Sequence, residues 1–438
     1  MSKSTIAAET ELEICGRLAE ASPSNPQSEH VVVLQDSFIH VGPNGRHTCL
    51  VYEPMGGTVA STAAKLPSNQ RINRSKGERT RYPTWMAKRI LTDVLGALIF
   101  LHQNGVVHGD VHPGNLLFSA RKIDSIDEKK LEQPKSKITA PLQRLDGKID
   151  KWSPQYLMLA ESLYKYANLG PEMTIKLSDF GAAFWATKPP KKTVTPVALR
   201  APELIFGEPF DSSIDIWSFG CLVYELLTGD MLFGVWKMGD DSQEDADDDH
   251  LLELNDVLEP LPDSWLAKWL WASMWFGPDR ERLNPRGDTG GIDEIMVFDE
   301  VMVYDDEHDD DSSQVSMERG IGGSDDEDAG ISPGDGDERD ADVKVAHRER
   351  VIIHGNNELN LLEETQGPFI NERLEVLFEK GKPADMPAEE AQAVISLLRL
   401  ILRYNPSERP TAAQILEHEW FQKELQVKHS NRRKRSRS

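Results

Sequence analysis

Cysteine is scarce in this chain: three in 438 residues (Cys15, Cys49 and Cys221), an odd number with no CxxC spacing. That excludes a disulfide-stapled secreted framework and points to a reducing compartment. Long apolar runs are missing as well. The opening MSKSTIAAETELEICGRLAE contains no apolar core of a secretory signal. The longest apolar stretches, around Ile216–Leu227 and Ile395–Leu402, fall short of the ~20 residues that cross a bilayer. Membrane-embedded and collagen-like classes are excluded, and no internal repeat is visible.

Basic residues are outnumbered, 49 Lys and Arg against 73 Asp and Glu, for a net charge of −24. The imbalance is local. Between Asp288 and Asp342 stand 21 acidic residues and two Arg, a net of −19, in a stretch rich in Gly, Ser and Asp. Such a segment buries too little apolar surface to offset its ordering entropy, so it reads as disordered, with a solvated spacer as the plain interpretation. Ser324, followed by DDED, fits a site for an acid-directed kinase. The tail Lys428–Ser438 is basic and ends in Arg-Ser dipeptides, a pattern open to nuclear import, nucleic-acid contact or attraction to the acidic segment.

What remains has the length of two or three ordinary domains. Residues 6–20 read as a helix. His30–His40 and His47–Glu53 read as strands joined by the turn residues GPNG. Residues 56–80 are small, polar and basic, and suggest a mobile connection. Thr84–His102 carries apolar residues at helical spacing and is expected to be a well-buried helix. A polar insert at 119–172, with an amphipathic piece near Tyr156–Leu163, precedes a strand at Thr174–Leu177. Helices are expected at Ile214–Thr228, His250–Leu258, Asp263–Trp275, Ala388–Tyr404 and Ala412–Glu419. The tryptophans at 265, 269, 271 and 275 read as helix packing, and Cys221 as core.

Three strings carry chemistry. HGDVHPGN places Asn115 five residues after Asp110; DFG follows at Asp179–Gly181 after the strand TIKL; APE follows at Ala201–Glu203, with DIWSFG starting at Asp215. An Asp and an Asn five apart on a tight loop can face one site. There the Asp accepts a hydroxyl proton, while the Asn carbonyl oxygen and a second Asp hold hard Mg2+ ions. DFG alone is weak; all strings in this order make a strong signal.

On these residues the chain resembles the eukaryotic protein kinases over roughly residues 9–60, 84–118, 174–278 and 350–421. HGDVHPGNLLF, PVALRAPELIFG, ELLTGDMLF and DDHLLELNDVLEPLP are similar to the SR-protein kinases, especially their fungal relatives. The resemblance implies an α+β bilobal fold with a small N-lobe missing its first strands and a large, mainly helical C-lobe with two inserts. The implied organisation is an N-lobe remnant at 1–60 (helix C, strands 4–5 and hinge), then linker, helix E and catalytic loop at 61–118. A polar spacer at 119–172 follows, then DFG, activation segment and C-lobe helices at 173–284. An acidic insert at 285–349, the end of the C-lobe at 350–425 and an Arg/Ser tail at 426–438 complete it.

By the same resemblance Asp110 is the catalytic base, His108 buttresses its loop, and Asn115 and Asp179 hold Mg2+. Glu203 pairs with Arg409, and Asp215 anchors the catalytic loop. Glu53 and Met55 of the hinge, together with Leu117, contact the adenine of ATP, and Glu13 is the helix Glu that pairs with the phosphate Lys. Three departures stand out. The Gly-rich strands and their Lys are absent upstream of Glu13, where Lys3 is the only lysine; genuine loss, or a start codon placed one exon late, would each account for that. His112 stands where Ser/Thr kinases carry Lys, and an imidazole donates one hydrogen bond in a weakened form of that role. Gly109 replaces an Arg that often clamps a phosphorylated activation loop, so activation by loop phosphorylation is not expected. Thr193 and Thr195 remain open as phosphosites or as the hydroxyl that bonds Asp110.

HGDVHPGN alone also fits small-molecule phosphotransferases of the aminoglycoside and choline kinase type; APE, DIWSFG and Arg409 argue for the protein kinases. The implied function is transfer of the ATP γ-phosphoryl group to Ser in Arg/Ser-rich proteins, by a monomer in cytoplasm and nucleus with no membrane and no direct nucleic-acid partner. The alternative is a catalytically impaired or truncated chain that acts as a docking scaffold.

Overall fold

The computed structural model describes residues 3–42, 45–67, 69, 79–121, 123–132, 139–142, 144, 146–148, 152–154, 156–158, 163–235, 243–283 and 370–422. The acidic stretch, Ser324 and the Arg/Ser tail lie outside the described residues.

The centre is the helix Thr84–Gln103, whose Ile90, Leu91, Leu95, Ala97, Leu98 and Leu101 have no exposed surface. Apolar residues occur on every face of this helix, so it sits inside the core rather than on it. Each of the leucines and the isoleucine contributes about 1.5–3 kcal/mol of burial. The helix Ser213–Thr228 packs against it and is almost as deeply buried. Gly220 lets this second helix approach Ala388–Ile401, because a Cβ there would lie 2.7 Å from Ile401 Cγ2. It stops at Gly229, whose φ of 78° is a left-handed helix cap open to glycine.

Beside these helices lies a three-stranded antiparallel sheet in the spatial order Met55–Thr58, Leu116–Ser119, Ile175–Leu177. A short ladder joins Val106–Val107 to Phe184–Trp185. Together these two small sheets hold both ends of the 108–115 loop and both ends of the 178–183 turn. The architecture is α+β, as the resemblance implied, with the first described helix at Lys3–Ala21.

Several boundaries differ from the sequence expectation. The apolar run VVVL does not open the first hairpin strand. Val31 and Val32 are buried against Leu177, with the Val32 N–H donating to its carbonyl at 2.9 Å, and the hairpin proper is Asp36–Gly42 with Gly45–Val51. The segment 56–80 is not simply a loose connection: it begins with the strand Met55–Thr58 and the helix Val59–Ala63, in which Val59 and Thr62 are fully buried. Residues 70–78 lie outside the described residues. The Tyr156–Leu163 piece holds a short strand, Tyr156–Met158, paired with Thr139–Pro141 and exposed along its length. The acidic helix starts at Gln243, seven residues before His250, and Asp263–Trp275 divides into two single turns. Leu374–Gly381 is an additional helix. Of the four tryptophans, Trp269 is buried and bonds Asp248, Trp265 packs tilted against Phe206 with ring centroids 4.8 Å apart, and Trp271 is 46% exposed. No helix among the described residues is long and apolar enough to cross a membrane.

Candidate active site

The loop His108–Asn115 is held from below by one carboxylate. Asp215, in the first turn of the Ser213–Thr228 helix, accepts from the backbone N–H groups of His108 at 2.9 Å and Gly109 at 2.8 Å, and from His102 Nε2 at 2.9 Å. Burial favours the neutral acid, but the hydrogen bonds and charges of His102 and His108, with the Gly109 N–H, outweigh it and lower the pKa. A buried carboxylate so satisfied fixes the loop at its start. Gly109 sits at φ 76°, and a Cβ there would lie 3.2 Å from the Ala182 carbonyl oxygen. A larger residue would strain both backbone and contact.

His108 is fully buried and links two loops. Its Nδ1 accepts from the Asp110 N–H at 3.2 Å, and its Nε2–H donates to the Ser178 carbonyl at 3.1 Å. Burial lowers its pKa, which matches this neutral tautomer. Phe180 packs edge-on against its ring at 5.6 Å. Asn115 makes the second link. Its carbonyl accepts from the Ser178 N–H and hydroxyl, both at 2.9 Å, and its Nδ2 donates to the Asp110 carbonyl at 3.0 Å and to Asp110 Oδ2 at 3.1 Å. The loop carrying Asp110 is thereby tied to the backbone one residue before Asp179.

Asp110 itself has one oxygen engaged and one free. Oδ2 takes the Asn115 bond and lies 3.5 Å from His112 Nε2; Oδ1 is buried with no hydrogen-bond partner among the described residues. Burial pushes this carboxyl up, but the His112 hydrogen bond and charge, His108 and Asn115 outweigh it, and it is held below the usual value. An orphaned carboxylate oxygen in a partly closed site is costly unless a ligand donor meets it. His112 Nδ1 accepts from the Gly114 N–H at 3.0 Å, which leaves Nε2 as the ring's donor towards Asp110. Gly114 is needed for this turn, since a Cβ would fall 2.6 Å from His112 Cε1.

Asp179 is exposed and adopts φ 63°, a left-handed conformation rare outside glycine, with Oδ1 accepting from the Gly181 N–H at 3.2 Å. A strained residue at the mouth of a site is a common mark of function. Asn115 Oδ1 and the remaining Asp179 oxygen have no protein donor among the described residues. Among those residues no three His, Cys, Asp or Glu converge on one point. Asn115 Oδ1 and the Asp179 carboxylate are hard oxygen donors of the kind that suit Mg2+, which takes one or two protein oxygens and completes its shell with phosphate and water.

The structure separates other expected residues. Glu13 is exposed, whereas Glu11, one half-turn earlier, is partly buried and has its pKa raised by burial and then by the charge of Asp179. The residue of the Lys3–Ala21 helix that faces the site is Glu11, so the expectation for Glu13 is corrected. Residues 11 and 14 share a face three apart, and Ile14 is core. Among the described residues no Lys or Arg forms an ion pair with either Glu. Tyr52, before the hinge, contacts the buried Cys15 thiol at 3.4 Å. The Glu53 carboxylate pairs with Lys176, and Met55 lies in register with Ser119. Leu117 is half-buried between Thr58 and Lys176 in the sheet register. Thr195 is buried and donates to the Gly109 carbonyl at 2.7 Å, so its hydroxyl braces the catalytic loop rather than bonding Asp110.

Glu203 and Arg409 meet in a buried two-point pair, at 2.5 and 2.7 Å. Arg409 also donates to the carbonyls of Arg403, Ser213 and Tyr404 and lies over the Trp217 ring at 4.9 Å. Every face of this guanidinium is used.

A carboxylate on an HxDxxxxN loop, a second Asp beginning a DFG turn and an activation segment pinned by Glu203–Arg409 define the catalytic core of a protein kinase. The family model "Protein kinase domain" matches residues 157–285. The chain is 32% identical to the serine/threonine-protein kinase SRPK of Physarum polycephalum, over 66% of each chain. It is 24% identical to the protein kinase dsk1 of Schizosaccharomyces pombe, over 58% of each, and 28% identical to the serine/threonine-protein kinase AFC1 of Arabidopsis thaliana, over 49% of this chain and 37% of that one. It thus spans about two thirds or less of these curated relatives. The chain belongs to the eukaryotic protein kinase superfamily and within it is similar to the SR-protein kinases.

Proposed function

We propose that the chain is a serine/threonine protein kinase of the SR-protein kinase type, transferring the γ-phosphoryl group of ATP to Ser in Arg/Ser-rich proteins. The observation that carries this reading is the free Oδ1 of Asp110, held in place by Asn115 and His108 beside Asp179. ATP with Mg2+ supplies the phosphoryl group and the charge that neutralises it; Asn115 and Asp179 are the residues to hold the metal. Asp110 orients the substrate hydroxyl through Oδ1 and takes its proton. A carboxylate with a lowered pKa is a weak base for a free hydroxyl, so its main contribution is positioning, with proton transfer late in the reaction. The donor of His112, Nε2–H, faces Asp110 Oδ2 rather than the phosphoryl, so its contribution is to hold that carboxylate in place. We place the protein in cytoplasm and nucleus, as a monomer.

One observation favours a second reading, a docking scaffold without transfer: the charge of Asp179 helps to raise the Glu11 pKa, and among the described residues no Lys or Arg pairs with either carboxylate. The two readings separate in one assay. The full chain is incubated with labelled ATP, Mg2+ and an Arg/Ser peptide. A kinase incorporates label that Asp110→Ala abolishes. A scaffold incorporates none, and binds peptide equally well with or without the substitution.

A further inference from the structure

The hairpin Asp36–Gly42 with Gly45–Val51 is held by little packing: no residue of either strand is buried. Two strands alone are marginally stable in water. Successive side chains of a strand point to opposite faces, so the register divides the hairpin into two faces. One carries Ile39 and Val41 with Arg46 and Thr48. The other carries two imidazoles directly opposite each other, His40 and His47, and next to them the pair Phe38 and Cys49. These are all the histidines and cysteines of the two strands, and all three fall on one face. A slip of one residue in register would put His40 on the face opposite His47 and Cys49. Both histidines are exposed and Cys49 is half-buried, so no packing into a core accounts for them.

Residues directly opposite in an antiparallel pair hold their Cβ atoms about 4.5–5.5 Å apart, and alternate residues of one strand lie about 7 Å apart. Two imidazoles and a thiol on such a triangle reach a common point above the face. Two nitrogens and one sulfur are the donors of a four-coordinate zinc site whose last position is left to water. They select a borderline or soft cation over Mg2+, which takes oxygen. As the side chains stand, no three such groups converge among the described residues. Closing the site therefore takes a change of rotamer, which exposed side chains make without disturbing a core. The backbone register, which puts the three on one face, stays as it is.

We propose that His40, His47 and Cys49 form a binding site for one Zn2+ ion on this face of the hairpin. The Cys49 thiol binds as thiolate and gives its proton to solvent; nothing is oxidised or reduced. The ion clips together two strands that packing leaves poorly supported, so its binding free energy adds to the stability of the hairpin. The strand Gly45–Val51 runs directly into Tyr52 and Glu53, and the clip stiffens the arm that carries them. The site uses no residue of the catalytic loop or the DFG turn and does not depend on the reading of the chain as a kinase.

The test uses the full chain, kept reduced by a phosphine, in excess Mg2+ to occupy the carboxylates of the acidic stretch. Zn2+ affinity is read by competition with a chromophoric chelator for wild type, His40→Gln, His47→Gln, Cys49→Ser and, on the other face, Thr48→Ala. Loss of a mere outer-shell partner weakens metal binding about 10–100-fold, so each ligand variant should bind about tenfold or more weakly, with Thr48→Ala unchanged. Co2+ serves as the spectroscopic probe. Wild type should give the intense visible bands of four-coordinate cobalt and a near-ultraviolet thiolate band that Cys49→Ser loses; Cys15 and Cys221 are buried and do not supply it. Amide exchange over residues 36–51 should slow with Zn2+ in wild type and not in His47→Gln. Absence of a saturable Zn2+ site, equal affinity in the folded histidine variants, or a cobalt complex without the thiolate band overturns the proposal. None of these measurements reads phosphoryl transfer, so their failure leaves the kinase reading standing.

Discussion

Arg409 reaches back 206 residues to clasp Glu203 through two hydrogen bonds, and both side chains are buried. The activation segment is thus fastened at its end by the last helical part of the core. Removing one partner leaves a buried charge alone, which costs about 3–5 kcal/mol. Arg409→Met is expected to lower the denaturation midpoint accordingly. The double substitution Arg409→Met with Glu203→Leu recovers part of the loss, since neither charge is then stranded. Urea unfolding of the three proteins checks this.

Asp215 ties stability to acid pH. Its pKa is lowered in the folded chain by His102, His108 and Gly109 against the opposing effect of burial. The stabilisation is therefore complete above the unfolded value, near the ordinary 3.8, and is lost as pH falls through the lower folded value. Asp215→Asn should unfold more readily at neutral pH and show a flatter acid limb below about pH 4. Thermal melts from neutral to acid pH read both effects.

Glu225, in the Ser213–Thr228 helix, has the opposite sign. Burial pushes its folded pKa up to about 7, above the ordinary 4.5, so the folded chain loses stability as pH rises between the two values. Glu253, also pushed up by burial to about 7, adds to the same slope. Glu225→Gln is expected to be more stable than wild type at pH 8 by a difference on the order of 1–3 kcal/mol, and equal to it near pH 4. Parallel denaturation curves at the two pH values decide this.

Gly109 at φ 76° and close to the Ala182 carbonyl predicts that Gly109→Ala costs about 1–2 kcal/mol. Because Asp110 follows directly, phosphotransfer should fall further than stability does. Comparing the melting shift with kcat separates the two.

Much of the site was legible in the sequence because its loops are short and sequence-local. HGDVHPGN and DFG sit on tight turns whose glycines and caps are local features, and the structure joins those turns through Asn115 and Ser178. What escaped depends on neighbours distant in the chain. Whether residue 11 or 13 faces the site depends on the rotation of a helix set by Ile14 and Leu18 in the core. Val31 and Val32 read as hairpin strand, but their partner is Leu177, nearly 150 residues on. The helix from Gln243 begins in a run of acids that reads as loop until Asp247 meets Arg200 at 3.1 Å and Asp248 meets Trp269. Glu225 had one visible signal, a lone carboxylate in an apolar helical run.

The most direct test of the whole account is incorporation of labelled phosphate from ATP and Mg2+ into an Arg/Ser peptide by the full chain, beside Asp110→Asn and Asp179→Asn. The account predicts label on serine from wild type, and a loss of about a thousandfold or more in each variant while the melting temperature is kept. Equal incorporation by wild type and Asp110→Asn, or none by a folded wild type that still binds the peptide, would contradict it.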